Sequence, residues 1–158
     1  DTELTFEELT DPQGINFWPE PVGRDGCRTP MVWEAAAPNA GFSKANRTWL
    51  PVKSPQQGRA VDTQGPGSVL EFYREMLALR RDETDLKTGK IAFLNLPDPV
   101  LGYTRGTEIT CLFNLSPEPV TLDLPNDLTP LLSQGATISA DGAAFAANGF
   151  VIARGSAA

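Results

Sequence analysis

Gly23-Arg24-Asp25-Gly26-Cys27-Arg28-Thr29-Pro30-Met31-Val32-Trp33 is the stretch on which the reading of this chain turns. It sets two arginines, an aspartate and a tryptophan into a segment whose glycines and proline interrupt any helix or strand. A loop of that composition is held by side-chain hydrogen bonds and aromatic packing, and loops built this way tend to carry binding residues.

The flanks extend the irregularity. Residues 1–66 hold all three tryptophans (Trp18, Trp33, Trp49) and eight of the fourteen prolines, each of which blocks a helix from running through the residue before it. So long an irregular stretch is uncommon in a compact domain, which makes it the wall of a site or a piece of something larger. One short helix fits around Leu4–Leu9.

Residues 67–88 read as a helix. Ser68 and Glu71 make a capping box after Pro66-Gly67. Val69, Phe72, Tyr73, Met76 and Leu79 form an apolar stripe expected to be core. Arg80 and Arg81 suit the negative end of the helix dipole. A frayed turn over Glu83–Thr88 then stops at Gly89.

From residue 90 the pattern changes to short β runs. These are Ile91–Leu96, Val100–Arg105, Ile109–Leu115, Val120–Leu124, Thr129–Leu132 and Phe150–Arg154. Turn signals separate them at Pro97-Asp98-Pro99, Gly106-Thr107, Ser116-Pro117-Glu118-Pro119, Pro125-Asn126-Asp127 and Asp141-Gly142. Strands at this spacing with no intervening helix predict an antiparallel sandwich.

Composition removes whole classes of chemistry. The 158 residues contain no histidine, so no Ser-His-Asp triad, Cys-His pair or HExxH zinc site can be built from this chain. Cys27 and Cys111 lie in no CxxC motif; two lone cysteines fit a reducing compartment, with Cys111 read as a buried hydrophobe. A net charge of −7 sets nucleic acid aside, and no apolar run is long enough to cross a bilayer. The acidic, polar first residues show no signal-peptide pattern, and a cytoplasmic location is expected. No cofactor and no metal site is expected. Asp123, Asn126 and Asp127 are better read as a turn than as calcium ligands.

Several separated motifs agree in order with one family. Asp11-Pro12 and Phe17-Trp18-Pro19 precede Gly23-Arg24-Asp25 and Arg28-Thr29-Pro30-Met31 with Trp33. Then come Ala40-Gly41-Phe42-Ser43, Trp49-Leu50-Pro51-Val52, the helix ending Leu77-Ala78-Leu79-Arg80-Arg81, and Phe113-Asn114-Leu115-Ser116. In this order the chain resembles the C-terminal part of glycoside hydrolase family 13, in its α-glucosidase and oligo-1,6-glucosidase branch. Gly26-Cys27 and Val32 look most like the proteobacterial variants. The resemblance runs to about residue 120.

The resemblance implies the C-terminal end of a (β/α)8 barrel, with its active site at the C-terminal ends of the strands, followed by an antiparallel all-β sandwich domain. Residues 1–66 would be the irregular loop region after strand eight, 67–89 the last barrel helix, and 90–158 the β-sandwich domain. The family's nucleophile, acid/base and third carboxylate lie on earlier strands, so no catalytic residue is assigned here and the isolated segment is expected to be inactive. Its partners would be the upstream barrel segment and an α-glucoside or oligosaccharide substrate, hydrolysed from the non-reducing end with retention.

By resemblance, Arg24 reaches the pocket for the terminal glucose, where a planar fork can grip hydroxyls and a carboxylate together. Read from the residues alone, Arg24 could instead brace the loop against Asp25 or Glu20. Asp25 is read as a bracing acceptor in an Asx-type turn, and Arg28 as a brace onto backbone carbonyls. The three tryptophans are read as pins that hold the irregular loop onto the barrel, where they bury large area, rather than as sugar platforms. Two other functions stay open: a sucrose isomerase or trehalose synthase of the same family, and a stand-alone β-sandwich that binds carbohydrate or a protein.

Overall fold

The computed structural model describes residues 2–124, 127–139 and 142–155. Asn126, Asp141 and the turns read at Pro125-Asn126-Asp127 and Asp141-Gly142 therefore fall wholly or partly outside the described residues. The chain divides into two compact units, Asp1–Phe72 and Tyr73–Ala158.

The first unit is built from short pieces because its prolines permit nothing longer. Helix α1, Pro12–Asn16, starts with Pro at its first position, where no amide hydrogen is needed, and with Asp11 as its cap. Helix α2, Ser54–Gln57, begins where the Lys53 amide donates to Gln56 Oε1 at 2.8 Å. Single 3-10 turns occupy Phe6–Glu8, Asp25–Cys27, Pro38–Gly41 and Val61–Thr63. Their core is small: Val32, Ala40 and Ala60, with Ala35 and Val52 packed on it. The unit is nevertheless compact, which departs from the tail that a stand-alone β module would leave at residues 1–66.

Trp18, Trp33 and Trp49 are 47%, 49% and 68% exposed in this chain.

The second unit opens within helix α3, Val69–Asp82, whose Ser68 Oγ accepts from the Glu71 amide at 3.2 Å. The helix stops at Glu83, where the backbone turns extended, and a separate helix α4 covers Thr84–Thr88. Met76 and Leu79 pack against Ile109, Cys111 and Ile152. Tyr73, expected in the core, is instead exposed together with Val69 and Leu77. Spacing of four residues puts those three on one side of the helix.

Six strands follow among the described residues: β1 Ile91–Phe93, β2 Val100–Arg105, β3 Ile109–Asn114, β4 Val120–Leu122, β5 Thr129–Ser139 and β6 Gly142–Arg154. All pairings are antiparallel. The expected sandwich of two sheets is here one continuous sheet, because β6 is long enough to serve two neighbours along one edge. Its Phe150–Arg154 half pairs with β3 and its Ala143–Phe145 half with β4, while β5 runs along its other edge. Alternation along the strands makes two faces. Leu112, Val151 and Ala153 face a cluster with Val100, Leu122 and Phe145; Ile109, Cys111 and Ile152 face Met76, Leu79 and Leu86.

Asn114 holds the bend between the halves of β6. Its side chain is buried; Nδ2 donates to the Ala146 and Glu118 carbonyls at 2.9 and 2.7 Å, and Oδ1 accepts from the Ser116 amide at 3.0 Å. The Asn148 amide adds a bond to the Ser116 carbonyl, and Asn148 takes a left-handed φ of 54°. The Asn114→Ala variant, which leaves these backbone groups unsatisfied, is expected to lose about 1–3 kcal/mol in urea unfolding. The Leu112→Ala variant, which opens a cavity beneath Val151, is expected to lose about 2–5 kcal/mol by the same measurement.

Candidate functional site

The loop from Gly23 to Trp33 is tied down by two carboxylates. Asp25, 2% exposed, sits in the 3-10 turn Asp25–Cys27 and turns its side chain away from its own turn. Its Oδ2 accepts from the Asp11 amide at 2.7 Å and from the Thr10 amide, and its Oδ1 accepts from the Thr10 hydroxyl at 3.0 Å. Asp11 reaches the other way. Its Oδ1 accepts from the Gln13 amide at 2.9 Å, and its Oδ2 from the Arg24 amide at 3.1 Å and Arg28 Nη1 at 3.3 Å. The two segments thus clasp each other through reciprocal carboxylates.

Glycine makes the clasp possible. Gly23 has a φ of 99°, and a Cβ there would lie 2.9 Å from the Gly14 amide nitrogen, so any side chain would push the two strands of the clasp apart. The far end of the loop is stitched separately. The Val61 and Asp62 amides donate to the Val32 and Trp33 carbonyls, and Asp62 accepts from the Ala35 amide. Gln56 Nε2 donates to the Thr29 hydroxyl at 2.6 Å.

Arg24 is left free by this scheme. Its guanidinium makes no hydrogen bond or ion pair among the described residues, so the salt bridge to Asp25 or Glu20 weighed from the sequence is not formed; Asp25 is already filled by three donors. The Arg24 backbone, in contrast, is held from both ends, since its carbonyl accepts from the Cys27 amide at 3.2 Å and the Cys27 thiol at 3.1 Å. Arg28 pairs with the Asp11 carboxylate rather than with backbone carbonyls. Charge decides that choice, because a guanidinium bonds a carboxylate more strongly than a neutral carbonyl.

Arg24 lines a cleft of about 350 Å³ with Asp11, Trp18, Glu20, Gly23 and Leu4. A larger, open depression of about 680 Å³ lies elsewhere in the same unit, with Glu8, Asn39, Arg47 and Trp49 on its walls. Arg47 on that depression is likewise without a hydrogen bond or ion pair among the described residues. We take the smaller cleft as the candidate site because it holds Arg24, the residue the sequence singled out. The Asp25 carboxylate is not suited to acid/base work. Burial pushes the Asp25 carboxyl up, but the Asp11 amide, the Thr10 amide and hydroxyl, and the charge of Arg28 outweigh it and hold the group below the usual carboxylate range. A general acid at neutral pH needs the opposite shift. Among the described residues no three His, Cys, Asp or Glu side chains gather to hold a metal.

Sequence reasoning singled out Arg24, Asp25 and Arg28 but passed over Asp11, which it used only as a motif landmark. The available signal was the capping position, Asp before Pro-Gln-Gly, which marks an oxygen already committed to one amide.

Because Asp25 is depressed, its contribution to stability is fully present above about pH 4, the unfolded carboxylate's range, and is lost as pH falls through the lower folded value. A carboxyl titration by NMR is expected to give Asp25 a pKa below about 3.9, with the Thr10 and Asp11 amide signals moving in step. Asp25→Asn should abolish that coupled movement and speed exchange of both amides about tenfold or more.

The family model for the alpha amylase catalytic domain matches residues 1–89. A probable alpha-glucosidase of Rhizobium meliloti (strain 1021) is 47% identical over 141 residues, which is 85% of this chain and 25% of that protein. An oligo-1,6-glucosidase of Heyndrickxia coagulans is 35% identical over 116 residues, 70% of this chain and 20% of that protein. The crystal structure of the alpha-glucosyl transfer enzyme XgtA superposes with a TM-score of 0.75 at 36% identity, covering 98% of this chain and 30% of that one. This chain spans about a fifth to a third of the length of such relatives. Its match over the first 89 residues and its identity to these enzymes identify it as a member of the alpha-amylase family, glycoside hydrolase family 13.

Proposed function

We propose that this chain is the C-terminal segment of a retaining α-glucosidase, an enzyme that releases glucose from the non-reducing end of maltose- or isomaltose-type substrates. The observation that carries the reading is Arg24: a free guanidinium on a doubly clasped loop, lining a cleft, in a chain similar over most of its length to α-glucosidases. In this reading residues 1–66 border the active site after barrel strand eight, 67–89 form the last barrel helix, and 90–158 form the C-terminal β domain. The catalytic carboxylates come from the upstream barrel. The exposed side of α3 (Val69, Tyr73, Leu77) is consistent with a helix made to be covered by that barrel.

Arg24 then binds the hydroxyls of the terminal glucose and balances a carboxylate beside it. This positions the ring and does no bond chemistry. Asp25 and Arg28 hold the loop. No residue of this chain is assigned a catalytic step, and a cytoplasmic location remains part of the proposal.

One observation favours a second reaction on the same scaffold. The similarity to a glucosyl transfer enzyme extends over nearly the whole chain, so capture of the glucosyl intermediate by a sugar rather than by water is the alternative. Product analysis of the full-length enzyme on maltose and sucrose separates the two: free monosaccharides alone (glucose from maltose, glucose and fructose from sucrose) support hydrolysis, and new disaccharides support transfer or isomerisation.

The Arg24→Ala variant of the full-length enzyme is expected to lose about 10- to 150-fold in kcat/KM for p-nitrophenyl α-glucoside, the loss of a charged hydrogen bond, with its urea midpoint little changed. Normal kinetics would remove Arg24 from the site. Residues 1–158 alone are expected to show no turnover of this substrate, and activity in that fragment would defeat the assignment of the catalytic groups to the upstream segment.

A further inference from the structure

We propose that Asp11 is a positioning residue for Arg24. The inference rests on the reading of Arg24 as the substrate contact and adds the residue through which that contact is aimed. The Asp11 carboxylate, 12% exposed, takes three donors from three places: the first turn of α1 through the Gln13 amide, the Arg24 amide, and the Arg28 guanidinium. Its own amide is fixed by the buried Asp25. Asp11 therefore bonds the peptide of the very residue whose side chain is unpartnered.

The chemistry of the position calls for a carboxylate. Oδ2 receives both the Arg24 amide and the Arg28 guanidinium while Oδ1 receives the Gln13 amide, so both oxygens must accept at once. An asparagine would turn an NH2 group toward one of these donors and would lose the charge that Arg28 meets. The Cys27 amide and thiol hold the carbonyl side of Arg24, so removal of Asp11 frees the peptide at its amide end alone. The Arg24 side chain then leaves from a Cα that can shift, and small displacements of a positioning group are costly in rate. Asp11 touches no reacting atom; it acts through Arg24.

The test is a double-mutant cycle in the full-length enzyme, read as kcat/KM on p-nitrophenyl α-glucoside. Asp11→Asn is the main variant, because it keeps the shape of the side chain, and Asp11→Ala is the second. Each is expected to lose about 10-fold or more in the otherwise native enzyme and less than about twofold further in an Arg24→Ala background. A residue that merely stabilised the fold would add its full loss in both backgrounds. Additive losses, or normal kinetics of both Asp11 variants beside an impaired Arg24→Ala, overturn the positioning role and leave the site reading standing. Normal kinetics of Arg24→Ala itself overturn the substrate reading, and the positioning role with it.

Discussion

The first unit depends on a reciprocal pair of carboxylates. Asp25 fills its lone pairs with the Thr10 hydroxyl and the Thr10 and Asp11 amides, and Asp11 fills its own with the Gln13 and Arg24 amides and the Arg28 guanidinium. Neither helix nor sheet could join these segments, since Pro12, Pro19, Pro21 and Pro30 deny the backbone a regular ladder. Charged acceptors replace it. A carboxylate can organise several backbone N–H groups at once, and each such bond is stronger than a neutral one. The hydrophobic contribution is modest by comparison, with Val32, Ala40 and Ala60 as its centre.

That division of labour explains why Arg24 is available. A loop held by acids consumes the acids: Asp25 has no oxygen left for Arg24, and Asp11 spends its second oxygen on the Arg24 amide and on Arg28. Two arginines lie four residues apart, one drawn into the clasp and one left over. The free one leaves the loop beside Trp18 and Glu20 in a cleft of about 350 Å³. Bracing and binding are thus complementary outcomes of a single hydrogen-bond count.

The second unit solves its own problem with one long strand. β6 pairs on both edges and bends at Ala146–Gly149, and the bend is held by the buried amide of Asn114. Two β runs read from sequence were too short. Thr129–Leu132 grows to Thr129–Ser139, and Phe150–Arg154 to Gly142–Arg154. Most of the added residues are Ser, Gln, Gly, Ala and Asn, poor in strand propensity, with Thr137, Ile138 and Phe145 the exceptions, and pairing between β5 and β6 makes the whole stretch strand. The long β6 in turn merges the two expected sheets into one. Capping at Ser68 was legible because it rests on local chemistry; the single helix read over 67–88 is instead two, Val69–Asp82 and Thr84–Thr88, parted at Glu83.

What the sequence determined by itself was the order of parts and the kind of chemistry. Proline placement imposed an irregular first segment, periodicity gave α3 and the β runs, and the absence of histidine excluded most hydrolytic sites. The motif order was enough to reach the alpha-amylase family. Tertiary structure alone decided which loop arginine is free, that Arg28 pairs with Asp11, and that Tyr73 leaves the stripe to which its spacing assigned it. These are questions of competition among partners distant in the chain. Asp11 and Arg24 are thirteen positions apart and Asp25 and Thr10 fifteen, and no local propensity records which donor a carboxylate will take.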